Sequence, residues 1–306
     1  MPGLGLGTWK SKPGEVKRAI KQAIELGYRH IDCAAIYKNE AEIGEALSEC
    51  LAEGLVKREE LWITSKLWND GHRKEDVQPA LEKTLSDLRL EYLDLYLMHW
   101  PVAFKNGLDF PEDLDGYVPL TEVPLEETWE AMQELQSNGL VRHIGTSNFS
   151  AKKLQRLIDV GGQQPEMNQV ELHPYLQQQE LIDFCHAHGI HVTAYSPLGS
   201  MDRHESMKKE GEPVPLKSDI IMAIAQKNGM SPARVLIRWQ LQRNIAVIPK
   251  STNPVRLKEN LDSLNCELSE TDMAEIKSMD QHKRIVDGAF FTVPEKGYTT
   301  ESLWDE

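Results

Sequence analysis

The sequence is poor in cysteine, in aromatic residues and in positive charge. Four cysteines occur in 306 residues, Cys33, Cys50, Cys185 and Cys266, and no two form a CxxC pair. That usage argues against a disulfide scaffold and points to a reduced, cytoplasmic protein. Lys and Arg number 34 against 48 Asp and Glu, a formal net charge of −14. Nucleic acid and anionic membranes want a basic face, so neither is an expected partner. A local basic pocket stays possible. No run reaches the roughly 20 apolar residues of a membrane span. The opening Met1–Gly7 has no charged region followed by an apolar stretch, so no secretory signal is legible. HExxH and GxSxG are missing as well, which removes the common zinc and serine hydrolase motifs. His186 and His188 are two apart, so a helix would not put them on one face, and no metal is expected.

What is present is alternation. Gly3–Thr8, Tyr28–Asp32, Leu61–Lys66, Leu93–His99, Val141–Thr146, Met167–Glu171, His191–Tyr195 and Ile245–Ile248 read as strands. Leu93–His99 alternates little, as a buried parallel strand should. Helical period marks Pro13–Leu26, Ala41–Glu53, Glu75–Leu88, Pro124–Asn138, Ala151–Ile158, Leu181–His188, Asp219–Lys227 and Pro232–Gln242. Helices near Pro254–Leu261 and Glu270–Met279 follow the last strand. About eight βα units make a (β/α)8 TIM barrel the expected α/β fold. Length alone would suggest two domains, but such barrels run to about 250 residues as one. The expectation is one domain over residues 1–306, with a tail from about 285 to 306 that lacks helical period. Val102–Val123 and Ser196–Lys217 read as long loops at the barrel's C-terminal face.

A doubly wound open sheet is the rival fold. It would usually carry GxGxxG after its first strand. Here Gly3, Gly5 and Gly7 run into Thr8-Trp9-Lys10, and the third glycine of that motif is missing. The glycines read as a tight, closely packed strand.

A barrel builds its site at the C-terminal strand ends. Those ends carry Asp32, Lys66, His99, Ser147, Asn148, Gln169, Tyr195 and Lys250, with Tyr37 just after Asp32. Each has a bland reading: a helix cap, a solvated strand end, a buried hydrogen bond, a packing ring. Asp32, Tyr37, Lys66 and His99 together fit one chemistry. A phenol has a pKa near 10, high for acid–base work at neutral pH. A neighbouring ammonium lowers it, and a carboxylate keeps that ammonium charged and oriented. A His donor can hold a carbonyl oxygen and stabilise the developing alkoxide. These are the parts of a site for carbonyl reduction.

Three separated motifs then resemble the aldo-keto reductase superfamily, in its aldehyde and aldose reductase branch. They are Gly27–Gly44 with Asp32 and Tyr37, Leu140–Phe149 with Ser147 and Asn148, and Ile248–Arg256 with Lys250 and Ser251. The resemblance runs nearly end to end. It implies a catalytic tetrad: Tyr37 as acid, Lys66 as its modulator, Asp32 as the partner of Lys66, His99 as the group that orients the carbonyl. It implies NADP(H) bound without a Rossmann motif. Ser147, Asn148 and Gln169 would hold the carboxamide, and Tyr195 would stack on the nicotinamide. Gly7, Thr8 and Trp9 would meet the cofactor at the first strand end. The loop through Ser196, Leu198 and Ser200 would close over the pyrophosphate. Lys250, Ser251 and Arg256 would take the 2′-phosphate, with Glu259 and Asn260 near the adenine. An Arg fork beside a Lys suits a phosphate dianion in its own right, which favours NADPH over NADH.

Trp9, Trp68 and Trp100 align with aromatic positions of reductase pockets in that family. With His99, and with Phe104, Phe110 and Trp304 from variable loops, they would wall an apolar funnel. Such a wall favours aromatic or aliphatic aldehydes over bare sugars, which need hydroxyl partners. The family usually begins with a β-hairpin that closes the barrel bottom. Here Met1-Pro2 leads straight into the first strand, so that hairpin is expected to be absent or trimmed. Two other functions fit a barrel with these residues. One is a Schiff-base aldolase using Lys66. The other is a non-catalytic, NADPH-binding redox sensor. A monomer is the default, because a closed barrel buries its own sheet.

Overall fold

The computed structural model describes residues 1–203, 208 and 211–306. Eight parallel strands form one sheet. In chain order the elements begin with β1 (Leu6–Gly7), α1 (Glu15–Leu26), β2 (His30–Asp32), α2 (Glu40–Ala52), β3 (Trp62–Leu67), α3 (Lys74–Leu88) and β4 (Leu93–Met98). A short antiparallel pair, β5 (Ala103–Phe104) and β6 (Tyr117–Val118), precedes α4 (Leu125–Ser137). Then come β7 (Val141–Ser147), α5 (Ala151–Val160), β8 (Met167–Glu171), α6 (Gln179–Ala187) and β9 (His191–Tyr195). The last stretch holds α7 (Asp219–Asn228), α8 (Pro232–Gln242), β10 (Ala246–Val247), α9 (Pro254–Asp262), α10 (Glu270–Lys277) and α11 (Thr300–Trp304). The large sheet runs β1-β2-β3-β4-β7-β8-β9-β10. Backbone bonds from Gly5 N to Val247 O and from Val247 N to Gly3 O, both 2.8 Å, join its two edges. The chain has the (β/α)8 fold.

The helices form where apolar spacing matches their period. In α1, Val16, Ala19, Ile20, Ala23 and Ile24 are buried, and Gly27 ends the helix in the left-handed region at φ 109°. Gly27 N returns to Ala23 O and Ile24 O, satisfying carbonyls that the helix end leaves open. Ile20 and Ile24 are almost wholly buried, a gain of about 1.5–3 kcal/mol each over exposure. The early glycines are there for close packing. A Cβ on Gly5 would stand 2.7 Å from the His30 ring, and one on Gly7 2.7 Å from Ile248 O.

The period of two decides which side chains enter the barrel. Thr64 pairs with Leu95 and Lys66 with Leu97 in the β3–β4 register, so Trp62, Thr64 and Lys66 share a face. Trp62 stacks on His143 at 5.1 Å, and His143 Nδ1 meets Glu166 Oε2 at 2.6 Å, at the N-terminal strand ends. Lys66 enters at the other end. Ser65 points the opposite way and donates to Glu40 Oε1 at 2.5 Å. Thr84 of α3 donates to the other oxygen of Glu40 at 3.0 Å.

Glu40 is buried, and burial pushes its carboxyl up to about 7, partly offset by the Ser65 and Thr84 bonds. The folded protein therefore binds a proton that the unfolded chain releases near pH 4.5. Stability through this group is greatest below pH 4.5 and is lost as pH rises to about 7, by on the order of 3 kcal/mol. Urea midpoints at pH 5 and pH 8 check this. Glu40→Gln should flatten the difference, because glutamine has no proton to lose.

Two regions differ from the sequence expectation. Val102–Val123 is a loop that contains the β5–β6 pair. The tail contains α11, capped by Thr299, whose side chain accepts from Ser302 N. Five residues are too few to show a period. The Ser196–Lys217 loop extends partly outside the described residues; at its end Pro215–Lys217 forms one 3-10 turn. Among the described residues, no helix is long and apolar enough to cross a membrane.

Candidate active site

The C-terminal strand ends open into a cleft of about 1000 Å³. That is at the top of the range of about 300–1000 Å³ for small-molecule sites. Asp32 ends β2, Lys66 is the fifth residue of β3, and His99 follows β4. Tyr37 closes the 3-10 turn Ala35–Tyr37 after β2. Three strands and one turn therefore bring these four side chains together.

Lys66 is wholly buried beneath the cleft. Its Nζ donates to Asp32 Oδ1 at 2.5 Å and to Cys33 O at 2.7 Å. Burial opposes its charge, but the attraction of Asp32 and Tyr37 outweighs burial, and the ammonium is held above its ordinary range. Gln169 Nε2 donates to the other oxygen of Asp32 at 2.7 Å. Lys66 Nζ also stands 5.2 Å from the centre of the Tyr37 ring.

From the sequence, Lys66 is expected to bring the Tyr37 phenol down. The structure shows a contest that burial wins. Burial raises Tyr37, the charge and hydrogen bond of Lys66 pull it back, and the phenol comes to rest at about 12. Tyr37 thus keeps its proton throughout the neutral range. His99 moves the other way: burial, helped by the Lys66 charge, drops it well below the usual imidazole range. A neutral imidazole has one N–H to give. Nδ1 is buried without a hydrogen-bond partner among the described residues, which leaves Nε2 to serve the cleft.

The amide groups form one linked row. Ser147 Oγ donates to Gln169 O at 2.8 Å, and Asn148 Nδ2 to His99 O at 2.9 Å. Tyr195 OH donates to Asn148 Oδ1 at 2.8 Å. Asn148 sits at φ 64°, a left-handed position that Asn tolerates better than most residues. Thr8 Oγ1 donates to Asp32 O at 2.8 Å, tying β1 to the same centre. Gly7, Thr8 and Trp9 line the cleft, as do Ser147, Asn148, Gln169 and Tyr195. At its far end Ser196, Leu198, Ser200, Lys250, Ser251, Arg256, Glu259 and Asn260 line it too.

Two residues at that end escaped sequence reading. Asp202 bridges Lys10 at 3.0 Å and Lys250 at 2.8 Å. Burial alone would raise the Asp202 carboxyl, but Lys250 and Lys10 hold it down at about 2. Lys250 is therefore engaged. Arg256 is exposed in the first turn of α9 and makes no ion pair among the described residues. No spacing rule links Lys10 to Asp202; only the closed barrel makes them neighbours.

The aromatic wall is also rearranged. Trp9, Trp68, Trp100 and Phe110 line the cleft, joined by Ile36, Val286 and Phe290. Phe104 and Trp304 do not. Phe104 packs behind Trp68 at 6.2 Å, and Trp304 behind Trp100 at 5.9 Å. They support the wall because β5 and α11 turn their side chains into the buried cluster beneath it.

Residues 3–281 match the model of the aldo/keto reductase family. An aldo/keto reductase of Synechocystis sp. is 52% identical over the whole chain and 94% of its own length. Aldo-keto reductase family 1 member A1 of Mus musculus is 51% identical over 94% of this chain and 88% of its own. The structure of aldose reductase from Schistosoma japonicum superposes with a TM-score of 0.87 at 42% identity, covering 95% of this chain and 92% of that one. The chain belongs to the aldo/keto reductase family of oxidoreductases.

Proposed function

We propose that the protein is an NADPH-dependent reductase of aldehydes, working as a single barrel unit over residues 1–306. The observation that carries this reading is the buried Asp32–Lys66 pair set beneath a protonated Tyr37 and a neutral His99. His99 Nε2–H and the Tyr37 hydroxyl would both donate to the carbonyl oxygen. As the oxygen gains charge, Tyr37 gives up its proton, since an alkoxide is the stronger base. Lys66 stabilises the resulting phenolate, and Asp32 keeps Lys66 charged. An Asp-paired ammonium is a poor nucleophile, which disfavours a Schiff-base aldolase.

The cleft fits a dinucleotide in size, in its amide row and in its exposed cation. A reduced nicotinamide held there would supply hydride chemistry at the carbonyl carbon. Ser147, Asn148 and Gln169 would hold its carboxamide, Tyr195 its ring face, and the residues from Ser196 to Ser200 its pyrophosphate. Glu259 and Asn260 would flank the adenine. Lys250 is shared with Asp202, so Arg256 would carry most of the grip on a 2′-phosphate, with Ser251 beside it.

Removing the Arg256 fork tests the cofactor assignment. Arg256→Ala should raise the Kd for NADPH by roughly ten-fold or more and leave NADH within about two-fold, because only NADPH has the phosphate. Quenching of tryptophan fluorescence during titration reads both constants. Equal losses for the two cofactors would remove the assignment. A small neutral aldehyde is the expected substrate class, since the wall is aromatic and aliphatic.

A further inference from the structure

Beyond Arg284 the chain has no barrel strand, only the 3-10 turns Ala289–Phe291 and Pro294–Lys296 and the short helix α11. Ile285, Val286, Phe291, Tyr298, Leu303 and Trp304 are nevertheless buried. Two buried charged side chains hold this tail, one at each end.

Glu171 is the last residue of β8 and is fully buried. Its Oε1 accepts from Ile285 N and its Oε2 from Val286 N, both at 2.9 Å. His173 Nε2 stands 2.9 Å from Oε1 and steadies the carboxyl. Lys153 lies in α5 and is 4% exposed. Its Nζ donates to Ser302 O at 2.7 Å, Leu303 O at 3.1 Å and Asp305 Oδ2 at 2.6 Å. The carbonyls at a helix C-terminus lack intrahelical donors, and a cation there is favoured. An acid thus takes N–H groups where the tail begins, and a base takes C=O groups where it ends. Midway, Tyr298 OH accepts from Ala103 N at 2.9 Å and donates to Val118 O at 2.6 Å, tying the tail to the β5–β6 pair.

Between the anchors, Val286 and Phe290 reach the cleft, and Phe290 packs on Trp100 at 5.8 Å. Neither Glu171 nor Lys153 lines the cleft. We propose that Glu171 and Lys153 are positioning residues that clamp the tail at both ends and so fix the outer wall of the substrate pocket. The proposal rests on the reading of this cleft as a reductase pocket. Both clamps mainly grip backbone, so the tail's side chains are free to set the pocket's shape. Losing a clamp loosens the wall and leaves Tyr37, Lys66 and His99 in place.

Lys153→Met and Glu171→Gln test the clamp from opposite ends, with Lys153→Arg as the conservative control. For a bulky aromatic aldehyde, KM should rise roughly ten-fold, the scale of a damaged apolar pocket. For a short aliphatic aldehyde, kcat and KM should stay within about two-fold. Amide exchange across 285–306 should quicken in both variants while β3 and β4 keep their protection. Lys153→Arg should restore most of the aromatic KM. Unchanged exchange in the tail, or equal losses on both aldehydes, overturns the proposal. The exchange readout needs no turnover. An enzyme inert toward every aldehyde would therefore sink the reductase reading and still leave the clamp decided.

Discussion

Tyr37→Phe should lower kcat for aldehyde reduction by about 10²–10⁴-fold, the usual range for losing a general acid. The substitution deletes one hydroxyl and keeps the ring. That ring lies 6.4 Å from Trp9 and 5.9 Å from His99, so the walls of the cleft should hold their shape. NADPH affinity should be nearly unchanged, because the hydroxyl is assigned to the carbonyl oxygen. Steady-state rates and a fluorescence titration of the same preparation separate the two effects. Full activity in Tyr37→Phe would mean that the proton comes from elsewhere.

Lys66→Met should damage both catalysis and fold. It leaves Asp32 buried without its 2.5 Å partner, with Gln169 Nε2 still on the other oxygen. Breaking a buried ion pair from one side costs about 3–5 kcal/mol. The variant should therefore melt earlier and unfold at lower urea. Its phenol also loses the influence that offsets burial, so Tyr37 should become less acidic still. A less acidic phenol is a weaker donor, and kcat should fall by about 10²-fold or more. Asp32→Asn with Lys66→Met removes both charges. It should recover much of the stability and none of the rate. That split between folding and turnover distinguishes a modulator of Tyr37 from a merely structural lysine.

Much of the fold is legible in the sequence because alternation and helical period are local properties. The face of α1 from Val16 to Ile24 is read from spacing alone and is the face that packs. The strand ends are legible for the same reason, and with them Asp32, Lys66 and His99. Elements of two residues, such as β5 and β6, are too short to carry a period. The places of Phe104 and Trp304 are not legible, because composition shows that a ring is apolar, not which side of a wall it takes. The Lys10–Asp202–Lys250 bridge depends on residues far apart in sequence. So does the hold of Glu171 on Ile285 and Val286. The state of Tyr37 is legible only in part. Proximity to Lys66 is readable from the motif, but the depth of burial that outweighs it comes from the whole barrel mouth.

An acidic surface is compatible with the proposed phosphate site for a similar reason. Net charge sums over the molecule, whereas a cofactor meets only the groups at the strand ends. There Lys10 and Lys250 share the carboxylate of Asp202, and Arg256 lines the same cleft.

The most direct measurement is aldehyde-dependent oxidation of NADPH by the purified protein, comparing kcat/KM for an aromatic aldehyde, a short aliphatic aldehyde and a pentose. Turnover is expected, with the aromatic aldehyde the best substrate and the pentose the poorest, because the wall offers rings and few hydroxyl partners. No NADPH oxidation with any of the three would contradict it.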